Sequence, residues 1–192
     1  MCGIVGYVGT KNVPGRAYFA LDVVLEGLRR LEYRGYDSAG VAVLDEGKIS
    51  FRKKAGKVAA LDEVIAADPL PQAVVGIGHT RWATHGGPTD ANAHPHVVDG
   101  GKLAVVHNGI IENFAELKTE LLEKGYTFKS ETDTEVAATL LSDFMHGAGK
   151  GDLTESMRLT CNRLEGAFTL LALHTDFPDR IVAARRNSPL VI

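Results

Sequence analysis

The order of strand-like and helix-like segments constrains the fold of this 192-residue chain more than any other feature. Short apolar, β-branched runs, typical of buried strands, dominate the first 107 residues, with two amphipathic helical segments between them. Three helical segments follow, and two further strand-like runs come after them. Strands, then helices, then strands again favour an α+β fold, with helices covering the faces of sheets.

The predicted strands are short apolar runs bounded by turn residues: 3–8, two strands around Glu46–Gly47 within 40–54, then 74–80, 102–107, 167–174 and 180–185. The predicted helices carry an apolar stripe: 21–32, 57–68, 113–125, 132–145 and 153–166. Asn113 with Glu116 and Thr132 with Glu135 match the capping-box pattern. A loop of about twenty residues separates 74–80 from 102–107, and loops of that length tend to be functional.

Composition and charge exclude several classes of protein. The formal net charge is −3 without an extended basic run, which argues against nucleic acid as a partner. No apolar run is long enough to span a bilayer, and the N-terminus does not read as a signal peptide. Two cysteines of different character give no disulfide framework, so the sequence predicts a reducing, cytoplasmic compartment.

Cys2 directly follows the initiator methionine, a position with chemical consequences. Removal of Met1 would give Cys2 a free α-amine, whose ordinary pKa of about 7.7–8.0 leaves a useful neutral fraction at pH 7. That amine could accept the thiol proton, as in enzymes with an N-terminal nucleophile. The residues alone leave another interpretation open, because free cysteine also packs well as a small hydrophobe in a strand. Cys161, on an apolar helical stripe, is predicted to be a core residue.

Asn108 and Gly109 follow an apolar strand and are suited to stabilise an oxyanion. The side-chain amide of Asn108 can donate, and the missing side chain of Gly109 lets a substrate approach its main-chain N–H. Asn-Gly between apolar runs is also a strong hairpin signal, so a simple turn stays open as an alternative.

Two charged residues match the two ends of an amino-acid substrate. Arg81, directly beyond a strand, could bind a carboxylate, and Asp133, at a helix start, could bind an ammonium group. Trp82 offers an apolar cover, and Thr84 and His85 offer hydrogen bonds. The alternative for Asp133 is a capping role at the helix N-terminus.

Six motifs occur in a characteristic order: MCGIVGYVG, RRLEYRGYDSAG, HTRWATHG, NAHPH, VVHNGIIENF and SETDTEV. Together they resemble the glutaminase domain of the glucosamine-6-phosphate synthase family, which are class II glutamine amidotransferases with an N-terminal nucleophile. The resemblance covers essentially all of residues 1–192. It implies a four-layer αββα sandwich of the N-terminal-nucleophile hydrolase type.

The resemblance also implies roles for individual residues and the absence of any metal or organic cofactor. Cys2 would be the nucleophile, its α-amine the general base, and Asn108 and Gly109 the oxyanion hole. The other residues would have supporting roles. Arg81 would bind the glutamine α-carboxylate and Asp133 its α-amine. The remaining roles are lining of the pocket (Thr84, His85), gating of ammonia (Trp82) and support of the nucleophile (Arg34).

The resemblance further implies that residues 1–192 are one glutaminase domain without its last strands, since the sequence stops at an apolar SPLVI run. In this family, isomerase domains that the sequence lacks bind fructose 6-phosphate and receive the ammonia, and the full-length enzyme is expected to be a homodimer. Residues 10–20 are expected to be a surface insertion. L-glutamine is the expected substrate of this chain.

Two alternatives from other classes remain. Four histidines near the long loop could surround zinc in a metal-dependent hydrolase, although no zinc-helix motif is present: His79, His85, His94 and His96. The second alternative is a non-catalytic chain that binds glutamine or regulates a partner.

Overall fold

The computed structural model describes residues 2–10 and 19–192, which form eight strands and five α-helices. The strands are β1 (Gly3–Val8), β2 (Ser38–Asp45), β3 (Lys48–Ala55), β4 (Val75–Arg81), β5 (His96–Val98), β6 (Leu103–Ile111), β7 (Gly166–His174) and β8 (Val182–Arg186). The helices are α1 (Ala20–Leu31), α2 (Val58–Ala67), α3 (Phe114–Glu123), α4 (Asp133–His146) and α5 (Leu153–Arg163). Two short 3₁₀ helices lie at Glu32–Arg34 and Asp99–Gly101.

The strands form two antiparallel sheets of four strands each, in the orders β1-β4-β2-β3 and β5-β6-β7-β8. In the first sheet, Gly3 is paired with Thr80, so the residue before β1 lies beside the end of β4. In the second sheet, Asn108 is paired with Thr169. The start of β1 and the middle of β6 are the two places from which the site is built.

Three apolar clusters hold the layers together. Helices α1 and α2 pack on the outer face of the first sheet, through buried residues such as Val24, Leu28 and Leu61. The inner faces of the two sheets meet through a second cluster, which includes Ile77 and Leu173. Helices α3, α4 and α5 cover the second sheet. Helix, sheet, sheet and helix therefore form four layers, which confirms the predicted α+β αββα sandwich.

The predicted strands and helices are present with small shifts of their ends. The β2–β3 hairpin turns at Glu46 and Gly47, both with positive φ, as the Glu-Gly signal predicts. The structure adds one strand, β5, within the long loop; at three residues it is too short for a periodic signal. No helix in the described part of the chain combines the length and apolar character needed to cross a bilayer. Most of the expected surface insertion falls on residues 11–18, outside the described residues.

One alternative and one prediction about local structure differ from what is found. Asn108–Gly109 is not a turn, because both residues are strand residues of β6 paired with β7. Asn113 does not cap α3 with its side chain. It donates instead to the carbonyl of Arg163 at 2.9 Å and accepts from the N–H of Glu165 at 3.0 Å, which fastens α3 to the turn before β7. Thr132 does cap α4 by accepting from the N–H of Glu135.

Candidate active site

Cys2 is held at the edge of the first sheet by the main chain of Trp82. The N–H of Trp82 donates to Cys2 Sγ at 3.3 Å, and the thiol lies 3.6 Å from the carbonyl oxygen of Trp82, to which it donates. The pairing of β1 with β4 places these residues side by side. A thiol fixed by two main-chain contacts is a positioned group and not a loosely packed apolar side chain.

Burial dominates the acidity of this thiol. Desolvation raises the pKa of Cys2 above its ordinary value, while the N–H of Trp82 and the positive charge of Arg81 oppose that rise. The thiolate is the attacking form of cysteine, and a raised pKa makes it scarce at neutral pH. Chemistry at Cys2 therefore requires a base close to the sulfur.

The second sheet brings a donor to Cys2. The side-chain Nδ2 of Asn108 donates to the carbonyl oxygen of Cys2 at 3.2 Å, across a separation of 106 residues. The next residue, Gly109, lines the same cavity as Cys2. An amide donor thus contacts the main chain of Cys2, and Gly109 lines the cavity that contains the thiol.

Gly109 is constrained by its backbone. Its φ of +137° is a conformation that side chains disfavour, and an added Cβ would collide with the carbonyl oxygen of Ala167 on β7.

We expect Gly109→Ala to lower the free energy of unfolding by at least about 1–3 kcal/mol, the range for backbone strain alone. Gly87→Ala is the control, because nothing lies within 4 Å of its Cβ position. Urea denaturation of both variants measures this, and equal stability of the two would contradict the steric account.

Arg81, the last residue of β4, extends its guanidinium towards the following turn. Its Nη1 donates to the carbonyl of Gly87 at 3.1 Å, and its Nη2 donates to the carbonyls of Gly86, at 2.9 Å, and His85. Only 3% of Arg81 is exposed, so a positive charge is buried next to the thiol. These hydrogen bonds therefore hold the Arg81 guanidinium and the turn at residues 85–87 in one arrangement.

Asp133 is the first residue of α4 and is 4% exposed. Its Oδ2 accepts from the main-chain N–H of Ile111 on β6 at 3.0 Å, so the carboxylate points towards the strand. Thr132 is the residue that caps the helix with its side chain. Asp133 therefore does not supply the side-chain cap, although its charge lies in the first turn of the helix. Its carboxylate lines the cavity that contains Cys2 and Arg81.

The cavity unites most of the residues that the sequence singled out. It is lined by Cys2, Arg81, Trp82, Thr84, Gly109 and Asp133, together with four residues that sequence reasoning did not place there: His94, His107, Thr132 and Thr134. The signal for these four was their position, because each lies next to a predicted site residue or in the long loop. The structure brings them in through β6, the N-terminus of α4 and the segment before β5.

Three predicted site residues lie at the edge of the cavity or outside it. The ring of His85 packs edge-on against Phe114, 5.1 Å between centroids, and is not part of the cavity lining. Trp82 is 45% exposed and packs edge-on against Tyr36. Arg34 lies in the 3₁₀ helix that precedes β2. The next residue, Gly35, lies close to the main chain of Arg81, because a Cβ added to Gly35 would be 2.7 Å from the carbonyl carbon of Arg81. The roles of these side chains stay predictions.

Four buried histidines form a cluster, of which His94 and His107 also line the cavity: His79, His94, His96 and His107. The rings of His79 and His94 stack with centroids 4.2 Å apart, and His96 lies edge-on to His94 at 4.9 Å. Burial lowers the pKa of all four, to about 3 for His79. The charge of Arg81 adds to the effect at His79, His94 and His96, whereas Asp133 opposes it at His107. These rings are therefore neutral at pH 7.

The stacked rings do not converge on one point as metal ligands do. Among residues 2–10 and 19–192, no three histidine, cysteine or acidic side chains are arranged to hold a metal ion. One ring nitrogen of each of three histidines contacts a threonine hydroxyl instead: His94 and His107 contact Thr134, and His96 contacts Thr132. The zinc alternative has no support in this geometry.

Comparison with known proteins agrees with the motifs. A family model described as a glutamine amidotransferase domain matches residues 79–190. Glutamine–fructose-6-phosphate aminotransferase (isomerizing) of Corynebacterium diphtheriae is 76% identical, and that of Streptomyces coelicolor 62%, over all of this chain. The chain spans about a third of these relatives, 31% and 30% of their lengths.

A solved structure similar in fold is glutamine phosphoribosylpyrophosphate amidotransferase from B. subtilis. Its TM-score is 0.71 at 26% identity, and the match covers 91% of this chain and 35% of that one. A structure described as the allosteric regulatory enzyme of purine biosynthesis matches with a TM-score of 0.72 at 27% identity. The resemblance that the motifs carry is confirmed, and the chain belongs to the glutamine amidotransferase family.

Proposed function

We propose that this chain hydrolyses the side-chain amide of L-glutamine to glutamate and ammonia, through a thioester on Cys2. The observation that carries the proposal is the meeting, in one cavity, of the Cys2 thiol with Arg81 and Asp133, beside the Asn108 amide. Thiol, donor, guanidinium and carboxylate are the groups that amide cleavage of an amino acid requires.

The first step needs Cys2 at the N-terminus, after removal of Met1. The Cys2 thiol proton passes to the α-amine on the same residue, and the sulfur attacks the glutamine amide carbonyl. Carbon–sulfur bond formation moves the carbonyl electron pair onto oxygen. The Asn108 Nδ2, which lies 3.2 Å from the Cys2 carbonyl, and the Gly109 N–H are the donors proposed for that oxyanion.

Collapse of the tetrahedral intermediate breaks the carbon–nitrogen bond. The protonated α-amine of Cys2 gives its proton to the leaving nitrogen, which departs as ammonia. Water then adds to the γ-glutamyl thioester, with the amine again as base, and releases glutamate and the free thiol. The raised pKa of the Cys2 thiol explains why a dedicated base is needed before the attack.

Substrate recognition is assigned to the two buried charges. The guanidinium of Arg81 is proposed to bind the α-carboxylate and the carboxylate of Asp133 the α-ammonium. Thr84 lines the same cavity, and Trp82 lies at its exposed edge. His85 and Arg34 are proposed to act from outside the cavity lining, by shaping the 85–87 turn and supporting the Cys2 segment.

The wider reaction involves parts that lie outside this chain. The relatives are named glutamine–fructose-6-phosphate aminotransferases, and the chain corresponds to about a third of them. We propose that in such a protein the ammonia aminates fructose 6-phosphate to glucosamine 6-phosphate, in domains beyond these 192 residues, in a cytoplasmic homodimer.

Asp133→Asn tests the assignment of substrate recognition. The amide can still accept from the N–H of Ile111 but cannot pair with an ammonium group. A hydrogen bond to a charged partner contributes about 1.5–3 kcal/mol, so we expect kcat/KM for glutamine to fall by about 10- to 100-fold. The measurement is glutamate release by purified protein whose intact mass shows the loss of Met1.

Asp143→Asn is the matched control, because Asp143 lies on the same helix but pairs with Lys124 and Tyr126. It is expected to leave kcat/KM within about threefold of the unmodified chain. Processed protein that binds glutamine without releasing glutamate would contradict the hydrolase and favour the non-catalytic alternative.

A further inference from the structure

Thr134 is buried at the start of α4 and has two histidine partners. Its Oγ1 lies 2.7 Å from Nε2 of His94 and 2.9 Å from Nδ1 of His107. Only 1% of the residue is exposed. One hydroxyl between two ring nitrogens can satisfy both, because it donates one hydrogen bond and accepts another. The ring that accepts the hydrogen bond must be neutral, and deep burial favours the neutral form of both rings.

These contacts attach the first turn of α4 to strand β6 at two points. Thr134 is bound to His107, and the preceding residue, Asp133, is bound to the N–H of Ile111. Gly109 lies midway between the two points and lines the cavity. The distance between the Asp133 carboxylate and the Asn108–Gly109 pair therefore depends on both attachments.

The second histidine connects the same hydroxyl to the long loop. His94 stacks on His79 of β4, two residues before Arg81, so β4, the loop and α4 meet at Thr134. The neighbouring Thr132 has a parallel contact with Nε2 of His96 at 2.9 Å. Asp133 is thus flanked on both sides by threonines fixed to buried histidines.

We propose that Thr134 is a positioning residue whose hydroxyl, held between His94 and His107, sets the Asp133 carboxylate for the α-ammonium of the substrate. The inference rests on the proposed glutamine hydrolysis and adds a determinant of specificity to it. Thr134 also lines the cavity, but its hydroxyl is engaged by the two histidine rings, so its proposed action is through Asp133. Its effect should therefore depend on whether the substrate carries an α-amino group.

The test compares two substrates and three variants. Thr134→Val removes the hydroxyl at nearly constant volume, Thr134→Ser keeps it, and Thr139→Val is a control on the same helix, whose hydroxyl donates only to the carbonyl of Glu135. The substrates are L-glutamine and glutaric acid monoamide, which is glutamine without its α-amino group. Values of kcat and KM are measured for every variant and for the unmodified chain on each of the two substrates.

We expect Thr134→Val to lose about 10- to 100-fold in kcat/KM on glutamine, mainly through KM, since small displacements of a binding group have effects of this size. On the monoamide it should lose less than about threefold, and Thr134→Ser and Thr139→Val should stay within about threefold on both. Equal losses by Thr134→Val on both substrates would indicate general damage and overturn the inference. So would unchanged kinetics on glutamine.

A second comparison keeps the inference falsifiable if Thr134→Val does not fold. Thr134→Ala is then used, both alone and in the Asp133→Asn background. Groups that act through one another are not additive, so the alanine substitution should have little further effect once Asp133 is neutral. A full additional loss would overturn the inference, whereas an unmodified chain that cleaves neither substrate would refute the proposed hydrolysis itself.

Discussion

Replacing Cys2 with alanine is expected to reduce glutamate release from glutamine by about 10⁴-fold or more, the scale on which removal of a nucleophile acts. The sulfur is the only atom proposed to form a covalent bond with the substrate, and the remaining groups of the cavity can only bind it. The fold should persist, because Cys2 precedes β1 and its sulfur contacts only the main chain of Trp82 among its assigned hydrogen bonds. Thermal unfolding and a glutaminase assay on the same sample measure both statements.

Cys161→Ala is the matched control for that substitution. Cys161 is half-buried and packs at the edge of the cluster between the second sheet and its helices. Its substitution is expected to leave turnover within about twofold of that of the unmodified chain. A second protein, with an extra residue before Cys2 that blocks processing, keeps the sulfur but converts the α-amine to an amide. It should be as inactive as Cys2→Ala. Turnover by this blocked protein, with its mass verified, would show that the base is some other group.

Acidification is expected to destabilise the chain steeply between pH 6.5 and 5. His79, His94 and His96 are buried and have pKa values far below the ordinary 6.5, about 3 for His79. In the unfolded chain they bind protons below about pH 6.5, and in the folded chain they do not. The unfolded state therefore takes up more protons, and the stability that is present above pH 6.5 is lost as pH falls towards 3.

The size of this effect follows from the linkage relation. Each such histidine contributes about 1.4 kcal/mol per pH unit, or roughly 2 kcal/mol between pH 6.5 and 5. Three of them together reach the scale of a whole domain's stability, about 5–15 kcal/mol. Urea denaturation at half-unit intervals of pH measures the slope.

His96→Gln should reduce that slope by about one proton, since the amide cannot titrate but can still contact Thr132. Thr139→Val is expected to change stability without changing the slope, because no titrating group is removed. A flat profile from pH 7 to 5 would mean that the cluster takes up protons without unfolding.

Much of the fold could be predicted from periodicity and turn chemistry. The strand at Gly3–Val8 and the hairpin at Glu46–Gly47 follow from local rules, since an alternating or apolar run ends where a turn residue allows it. Asn108–Gly109 shows where such rules stop. Locally the pair predicts a turn, but pairing with β7 along the whole of β6 outweighs that preference.

The candidate site, like the fold, could be predicted only in part. Cys2, Arg81 and Asp133 could be proposed because their chemistry matches an amino acid and their motifs resemble a known family. Thr134 and His107 could not, because their importance lies in a contact between residues 27 positions apart. Hydrogen bonds of this kind depend on how α4 crosses β6, which no local pattern encodes.

Cys2 and its amide partner Asn108 are held by different sheets, and that separation has a consequence for how the proposed turnover can vary. Cys2 adjoins β1 of one sheet and Asn108 lies in β6 of the other, so their spacing is governed by the aliphatic side chains, such as Ile77 and Leu173, between the sheets. A small displacement of one sheet relative to the other would alter the distance between Cys2 and Asn108 with every site residue intact. Among related sequences, substitutions of these interior side chains can thus change the rate of the proposed hydrolysis without any substitution in the cavity itself.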